Sequence, residues 1–328
     1  MDQPVGAWNS GPTAHAPETR EERIAALVQL LEQLHESGYR HVTPSPATHA
    51  RVLRHRASAM AASIEDALGW NLPFDDDLLP ARMFGSLLDA AALKSCAEGW
   101  RSRIRISSLG SRLFVHSAYP TDDQDAVFFG PDSYRFARFV TDHLGAAEGR
   151  DLRIADIGTG AGVGAVLAAG LHPEATVLAT DINQRALDFA AANARAAGAA
   201  ISFRRCKGLK EIEGALDVVM MNPPYMDDGP GRAYRDGGSH HGGQLSLDLA
   251  RAAISRVVPG GTVLLYTGSA IVRGRDWLRD ALGELAPVAD ISYQEIDPDV
   301  FGEELDKPAY ADVDRIAVIG AVLKRRCD

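Results

Sequence analysis

The chain has 328 residues, of which 46% are hydrophobic, 24% charged and 7% aromatic. That composition is globular and long enough for two domains with one sizeable core, which excludes disordered, collagenous and fibrous proteins. Lys and Arg number 34 against 44 Asp and Glu, a net charge of -10, which argues against tight non-specific binding to bare nucleic acid or an anionic membrane.

Residues 1–18, rich in Gly, Pro and small polar residues, read as a flexible tail. From Thr19 the pattern is helical: Ile24, Leu27, Leu30, Leu31 and Leu34 recur at three- and four-residue steps, with Thr19 as cap and Gly38 as stop. Two prolines, Pro44 and Pro46, precede a second predicted helix over Ala47–Leu68, and a third is expected over Leu79–Ala97. The period then changes to two. In Trp100–Ile106, Trp100, Ser102, Ile104 and Ile106 share one face and Arg101, Arg103 and Arg105 the other. Ser108–Gly110 turns the chain and Arg112–Ser117 returns, a β-hairpin. Residues 19–127 therefore read as a helical domain with a β-hairpin, winged-helix-like in outline, for substrate recognition or dimerisation. The arginine face is either a contact for nucleic acid or an acidic partner, or a solvated strand face.

Residues 128–328 form the second expected domain. Phe128–Phe139 leads into a helix ending near Leu144–Gly145, and Gly149 marks the seam. Strands are then expected at Leu152–Ile157, Thr176–Ile182, Ala200–Cys206, Leu216–Asn222, Thr262–Thr267, Ala289–Ile296 and Arg315–Leu323. Helices fall at Gly162–Ala169, Gln184–Ala197, Gln244–Val258 and Asp276–Leu285. Alternating apolar strands and amphipathic helices specify an α/β fold, a Rossmann-like seven-stranded mostly parallel sheet with helices on both faces. The last two strands have no helix between them, so one is antiparallel.

Three separated cysteines, Cys96, Cys206 and Cys327, make no disulfide framework and no zinc-ligand pair. There is no apolar run of membrane-spanning length and no signal pattern, so a cytoplasmic protein without a membrane partner is expected.

The first strand of the sheet ends in ADIGTGAGVG (155–164). Gly158, Gly160 and Gly162 allow a ligand close approach to the backbone, and the next helix presents free N–H groups. The third glycine of a dinucleotide fingerprint would fall on Val163, and no Lys follows for a phosphate loop, so the turn is not built for phosphate. Asp156 before it suits a ligand with a cationic end. Asp181 ends the second strand, where a carboxylate can take both hydroxyls of a ribose. The fourth strand ends in MMNPPYM (220–226). Its two prolines remove N–H donors and free carbonyls to accept, Asn222 adds a side-chain carbonyl, and Tyr225 adds a flat face. Two acceptors and an aromatic plate suit a planar group ending in NH₂, aligned for attack.

ADIGTGAGVG, ATDINQRAL and DVVMMNPPY, in this order and spacing, resemble the class I S-adenosylmethionine-dependent methyltransferases. More narrowly they resemble the amino-methyltransferase branch with an N-P-P-Y motif, which includes glutamine methyltransferases of release factors and a ribosomal protein, and enzymes for exocyclic amines of adenine or guanine. The resemblance implies that S-adenosyl-L-methionine is the cofactor, with Gly158, Gly160 and Gly162 against its methionine part. It implies that Asp156 orients the turn and the cofactor's amino group, that Asp181 holds the ribose, and that Asn222, Pro223 and Tyr225 hold the target nitrogen. Phe129 and Gly130 match a segment that covers the cofactor. Two departures stand out. Cys206 or Lys207 falls where many relatives place an acidic residue for the adenine. YRDGGSHHGGQLSLD (234–248) lacks the Glu-Pro pair of release-factor enzymes, and its His240 and His241 read as solvated loop residues, with contact to the substrate as the alternative.

The resemblance and the acidic balance favour a glutamine-containing protein as methyl acceptor, ahead of an RNA or DNA exocyclic amine and of a small-molecule amine. A non-catalytic cofactor-binding scaffold is the reading from another class, and the intact N-P-P-Y speaks against it. The acidic segment DPDVFGEELDKPAYADVD (297–314) between the last two strands is placed to border the substrate mouth, where Asp297, Asp299, Glu303, Glu304 and Asp306 would repel phosphate.

Overall fold

The structure, a computed structural model, describes residues 19–121, 123–145, 151–227 and 236–327. The predicted tail and the seam glycine Gly149 lie outside the described residues. The N-terminal region comprises α1 (Arg20–Glu36), α2 (Pro46–Arg54), α3 (Ile64–Leu68), α4 (Ala81–Asp89), β1 (Leu93–Cys96), β2 (Gly99–Ser102), β3 (Ile104–Leu109) and β4 (Arg112–Ser117). After α5 (Pro131–Leu144) the elements are β5 (Arg153–Ile157), α6 (Val163–Leu171), β6 (Thr176–Asp181), α7 (Gln184–Ala196), β7 (Ile201–Arg205) and β8 (Leu216–Met221). The chain continues with α8 (Gln244–Arg256), β9 (Val257–Val272), β10 (Arg275–Asp276), α9 (Trp277–Gly283), β11 (Ala289–Asp297), two short 3₁₀ turns and β12 (Arg315–Arg325).

The main sheet runs in the order β11-β12-β9-β8-β5-β6-β7, with the two-residue β10 folded back on β9. The seven expected strands are all present. β5 to β9 are parallel, and β12 is the antiparallel member, paired with both β9 and β11. Alternate residues serve the two faces. Ile154, Val177, Met220 and Leu264 pack with α5, α6 and α7, whereas Ala155, Val219, Met221 and Leu265 pack with α8 and α9. The first of these cores continues into Leu27, Leu30, Leu31 and Leu34 of α1 and Phe114 of β4. α1 begins as its sequence foretells: Thr19 and Glu22 form a reciprocal capping box, and the chain leaves the helix through left-handed Gly38 (φ +74°).

Four N-terminal expectations change. The single helix over 47–68 is two, because the Ser63 side chain caps a new helix while Asp66 binds the Ala62 N–H. The helix over 79–97 ends at Asp89: Leu93–Cys96 pairs antiparallel with Gly99–Ser102, and this tertiary pairing overrides the helical propensity of the Ala-Leu run. The expected hairpin strand is divided at Arg103, its first part joining β1 and its second β4. The arginine face does not form. Arg101 is half-buried, Arg103 exposed and Arg105 buried, because β3 is covered on both sides and period-two alternation fails there.

Candidate active site

The β5–β6 ladder ends with Ile157 opposite Thr180, and the β5–β8 ladder with Ile157 opposite Met221. One residue further on, Gly158, Asp181 and Asn222 stand abreast at the C-terminal edge of three neighbouring strands. β6 lies on one side of β5 and β8 on the other, so this is the topological switch point where open α/β sheets bind ligands.

Gly158, Gly160 and Gly162 all take left-handed backbone angles (φ +70°, +54° and +83°), which lets the chain turn sharply from β5 into α6. They differ in surroundings. A Cβ on Gly158 or Gly160 would meet no protein atom within 4 Å, whereas one on Gly162 would lie 3.0 Å from Ala190 Cβ. The first two face open space of the kind a bound small molecule fills, and the third seats α6 on α7. Beneath the turn, Asp156 is 1% exposed, and its Oδ2 accepts from Thr159 Oγ1 (2.6 Å) and the Ala165 N–H (2.9 Å). Burial pushes its carboxyl up to about 6.

Asp181 is held by two backbone donors, Gly160 N–H to Oδ2 (3.0 Å) and Asn183 N–H to Oδ1 (2.8 Å). Burial raises its pKa and those donors oppose the rise. The next residue, Ile182, is 47% exposed and gives the rim an apolar plate beside a carboxylate. Cys206 is buried, with its N–H on the Asp181 carbonyl (3.1 Å), and Lys207 is exposed. Gly158, Gly160, Asp181 and Ile182 thus offer a close-approach backbone, a hydrogen-bonding acid and an apolar surface together, a set that fits a nucleoside-linked amino acid.

β8 delivers Asn222 to the edge, and Pro223 and Pro224 carry no N–H. The Tyr225 hydroxyl lies near the Asp132 carboxyl, which is 3% exposed in the first turn of α5. Asp132 accepts from Tyr266 Oη (2.9 Å) and Arg135 (3.3 Å), and Arg135 reaches Asp297 (2.8 Å). Burial first, and the nearby Asp132 charge second, raise Tyr225 well above the usual phenol range, so the hydroxyl keeps its proton. The ring lies against Gly268 of β9, where a Cβ would come within 2.3 Å of Tyr225 Cδ2.

The loop after N-P-P-Y packs on the motif itself: a Cβ on Gly242 would sit 2.4 Å from the Tyr225 carbonyl carbon. His240 and His241, expected as solvated, each have a partner. The His240 ring stacks on Trp277 (3.8 Å, 6°), and His241 Nε2 is 2.9 Å from Asp312 Oδ1. The acidic segment also reaches the motif, with Tyr310 Oη accepting from the Asp227 N–H (2.7 Å) and Phe301 6.0 Å from the Tyr225 ring.

Phe129 is placed in the core, stacked on Phe114 and His116 of the β3–β4 hairpin, and Gly130 caps α5. Four contributors escape sequence reasoning: Asp132, Gly164, Asn193 and Gly268. A Cβ on Gly164 would lie 2.9 Å from Asp156 Oδ2, and the run of glycines in 158–164 was its signal. Asn193 exchanges hydrogen bonds with Val115 (2.7 and 3.1 Å) and donates to the Ala161 carbonyl (2.8 Å), tying the hairpin to the glycine turn. A lone Asn in an alanine-rich helix hints at this. Nothing local pairs Asp132 with Tyr225, or Gly268 with its ring. A cavity of about 560 Å³ lies elsewhere, between α1, β3 and the start of α7, and none of the glycine-turn residues lines it.

Residues 129–286 match the model of the methyltransferase small domain family. The chain is 30% identical over 258 residues to the release factor glutamine methyltransferase of Deinococcus radiodurans, covering 73% of this chain and 83% of that one. Against its Bradyrhizobium diazoefficiens namesake the identity is 34% over 158 residues, 43% of this chain and 52% of that one. The ribosomal protein L11 methyltransferase of Syntrophotalea carbinolica is 29% identical over 221 residues, 63% and 64% of the two chains. Among solved structures, the ribosomal protein L11 methylase of Lactobacillus delbrueckii subsp. bulgaricus superposes with a TM-score of 0.39 at 23% identity, over 61% of this chain and 81% of that one. Glycine turn, strand-end carboxylate, N-P-P-Y edge and kinship together place the chain among the class I S-adenosylmethionine-dependent methyltransferases of the N-P-P-Y amino-methyltransferase branch, as an enzyme whose cofactor is S-adenosyl-L-methionine.

Proposed function

We propose that the chain is an N-methyltransferase for a planar NH₂ group, the side-chain amide of a protein glutamine. The observation that carries this is the Asn222–Tyr225 edge, abreast of Gly158 and Asp181, with its tyrosine ring seated against Gly268. Gly158 and Gly160 receive the methionine part of the cofactor, Gly162 seats α6 on α7 behind them, Asp156 holds the turn from below, and Asp181 takes the ribose hydroxyls. Bound S-adenosylmethionine supplies an electrophilic methyl on a sulfonium centre. The Asn222 side-chain carbonyl and the Pro223 carbonyl accept the two N–H bonds of the acceptor, which aims the nitrogen and lends it electron density as its protons become more acidic. The Tyr225 ring fixes the plane of the amide. Orientation and exclusion of water are the protein's main contributions.

The names of the curated relatives support glutamine, and the burial of Arg105 removes the basic strand face that a nucleic-acid acceptor would have used. Residues 19–127 would then serve acceptor recognition, with 128–328 as the methyltransferase domain. The test is labelled-methyl transfer from S-adenosylmethionine into cell extract, followed by protease or RNase digestion. Label lost to protease and recovered on glutamine supports the proposal, and label lost to RNase overturns the acceptor. Asn222→Ala is expected to keep cofactor affinity within about threefold and lose at least about 100-fold in turnover, since it removes a contact made to the reacting nitrogen. Unchanged turnover would falsify the role of the motif.

A further inference from the structure

The Arg105 guanidinium is buried with only 4% of the residue exposed, yet all its partners among the described residues are neutral. Nε donates to the Gly69 carbonyl (2.7 Å), and Nη2 reaches Thr43 Oγ1 (3.4 Å) and His41 Nε2 (3.5 Å). Nη1 makes no hydrogen bond to any described residue, and no carboxylate among the described residues pairs with the group. A buried cation without a counter-ion is costly, and folded proteins pair such charges. The histidines around it add no charge at neutral pH: burial first, and the Arg105 charge second, push His41 and His49 down to about 4. His116 is satisfied on both ring nitrogens, by the Ser117 carbonyl (3.0 Å) and Ser107 Oγ (2.7 Å). His49, only 2% exposed, has an Nδ1 with no partner. These groups border a recess of about 20 Å³ lined by Arg105, His49, His116, Thr43, Tyr119 and Phe128. Its size suits one compact group. Phe128 is two residues before Gly130, which opens the helix carrying Asp132, whose carboxyl lies near Tyr225.

We propose that this recess is a carboxylate-binding subsite, in which the acid supplies Arg105 with the counter-ion that no described residue provides. One oxygen accepts from the guanidinium and the other from the Nδ1–H of neutral His49. A single flat carboxylate matches the one cation and the small volume, whereas phosphate brings more charge and bulk than the recess holds. The site stands whether or not glutamine is the methyl acceptor.

The test uses the full chain labelled with ¹⁵N-arginine and follows the Arg105 Nε–H signal by NMR. Sodium formate and sodium acetate are titrated against sodium chloride and sodium phosphate at equal ionic strength, with N-acetylglutamate N-methylamide in a further arm. Formate and acetate are expected to give a saturable shift, and His49→Phe to weaken it about tenfold through the lost donor. Arg105→Met is expected to lose carboxylate-dependent protection against thermal unfolding. A shift from the glutamate derivative as well identifies the ligand as an acidic side chain, and a shift from formate and acetate alone identifies it as a free acid. Equal shifts from chloride, a response to phosphate alone, or no saturation would overturn the proposal. The wild-type salt series decides this even where a variant fails to fold, and no methyl transfer is measured, so its failure is distinct from failure of the acceptor assignment.

Discussion

Replacing each glycine of the turn by alanine separates cofactor contact from packing. Gly158, Gly160 and Gly162 share left-handed backbone angles, so each alanine carries a similar conformational cost, about 1–2 kcal/mol. Their surroundings differ. At Gly162 the new methyl lies 3.0 Å from Ala190 Cβ and 3.1 Å from its Cα, and overpacking against backbone adds about 1–3 kcal/mol. At Gly158 and Gly160 the methyl meets no protein atom within 4 Å and enters the space assigned to the cofactor. Urea unfolding is therefore expected to find Gly162→Ala the least stable of the three. Calorimetric titration with S-adenosylmethionine is expected to find Gly158→Ala and Gly160→Ala weakened by at least about tenfold, or 1.4 kcal/mol, and folded Gly162→Ala little changed. Wild-type affinity in Gly160→Ala would refute the assignment of that space. Equal stability of Gly162→Ala and Gly158→Ala would refute the packing argument.

The remaining predictions rest on buried polar groups. Burial raises Asp156 to about 6, so the folded state binds this proton more tightly than the unfolded chain, and stability falls as pH rises from about 4 to 6, on the order of 3 kcal/mol. Urea unfolding across that range should show the slope in the wild type and a flatter one in Asp156→Asn, and identical slopes would count against it. Tyr225→Phe removes the hydroxyl beside the buried Asp132 carboxylate, and the unfolding free energy is expected to change by no more than about 1 kcal/mol. Its turnover should fall more than its cofactor affinity, and equal falls would argue that the ring does not position the acceptor. Asn193→Ala strips partners from the Val115 N–H and carbonyl and the Ala161 carbonyl. It should cost about 2–4 kcal/mol, and a measured loss near zero would mean that water replaces the side chain.

The sheet was legible in the sequence because each parallel strand is buried on both faces and reads as a short apolar run between turn signals. Gly158, Asp181 and Asn222 were legible for the same reason: each ends such a strand, and parallel strands bring their ends to one edge. The register then sets the three side by side. The N-terminal region was less legible. Ala90–Cys96 has helical propensity, but its pairing with Gly99–Ser102 is a tertiary choice that no local pattern records. Arg105 shows the same limit. Alternation alone put it on an outer face, and only the second layer over β3 makes that face an interior one. The net charge of -10 disfavoured polyanion binding from the start. Where the individual charges lie, buried at Arg105 and Asp132 or exposed at Arg103, was decided by the packing, because burial depends on what covers a residue and not on its neighbours in the chain.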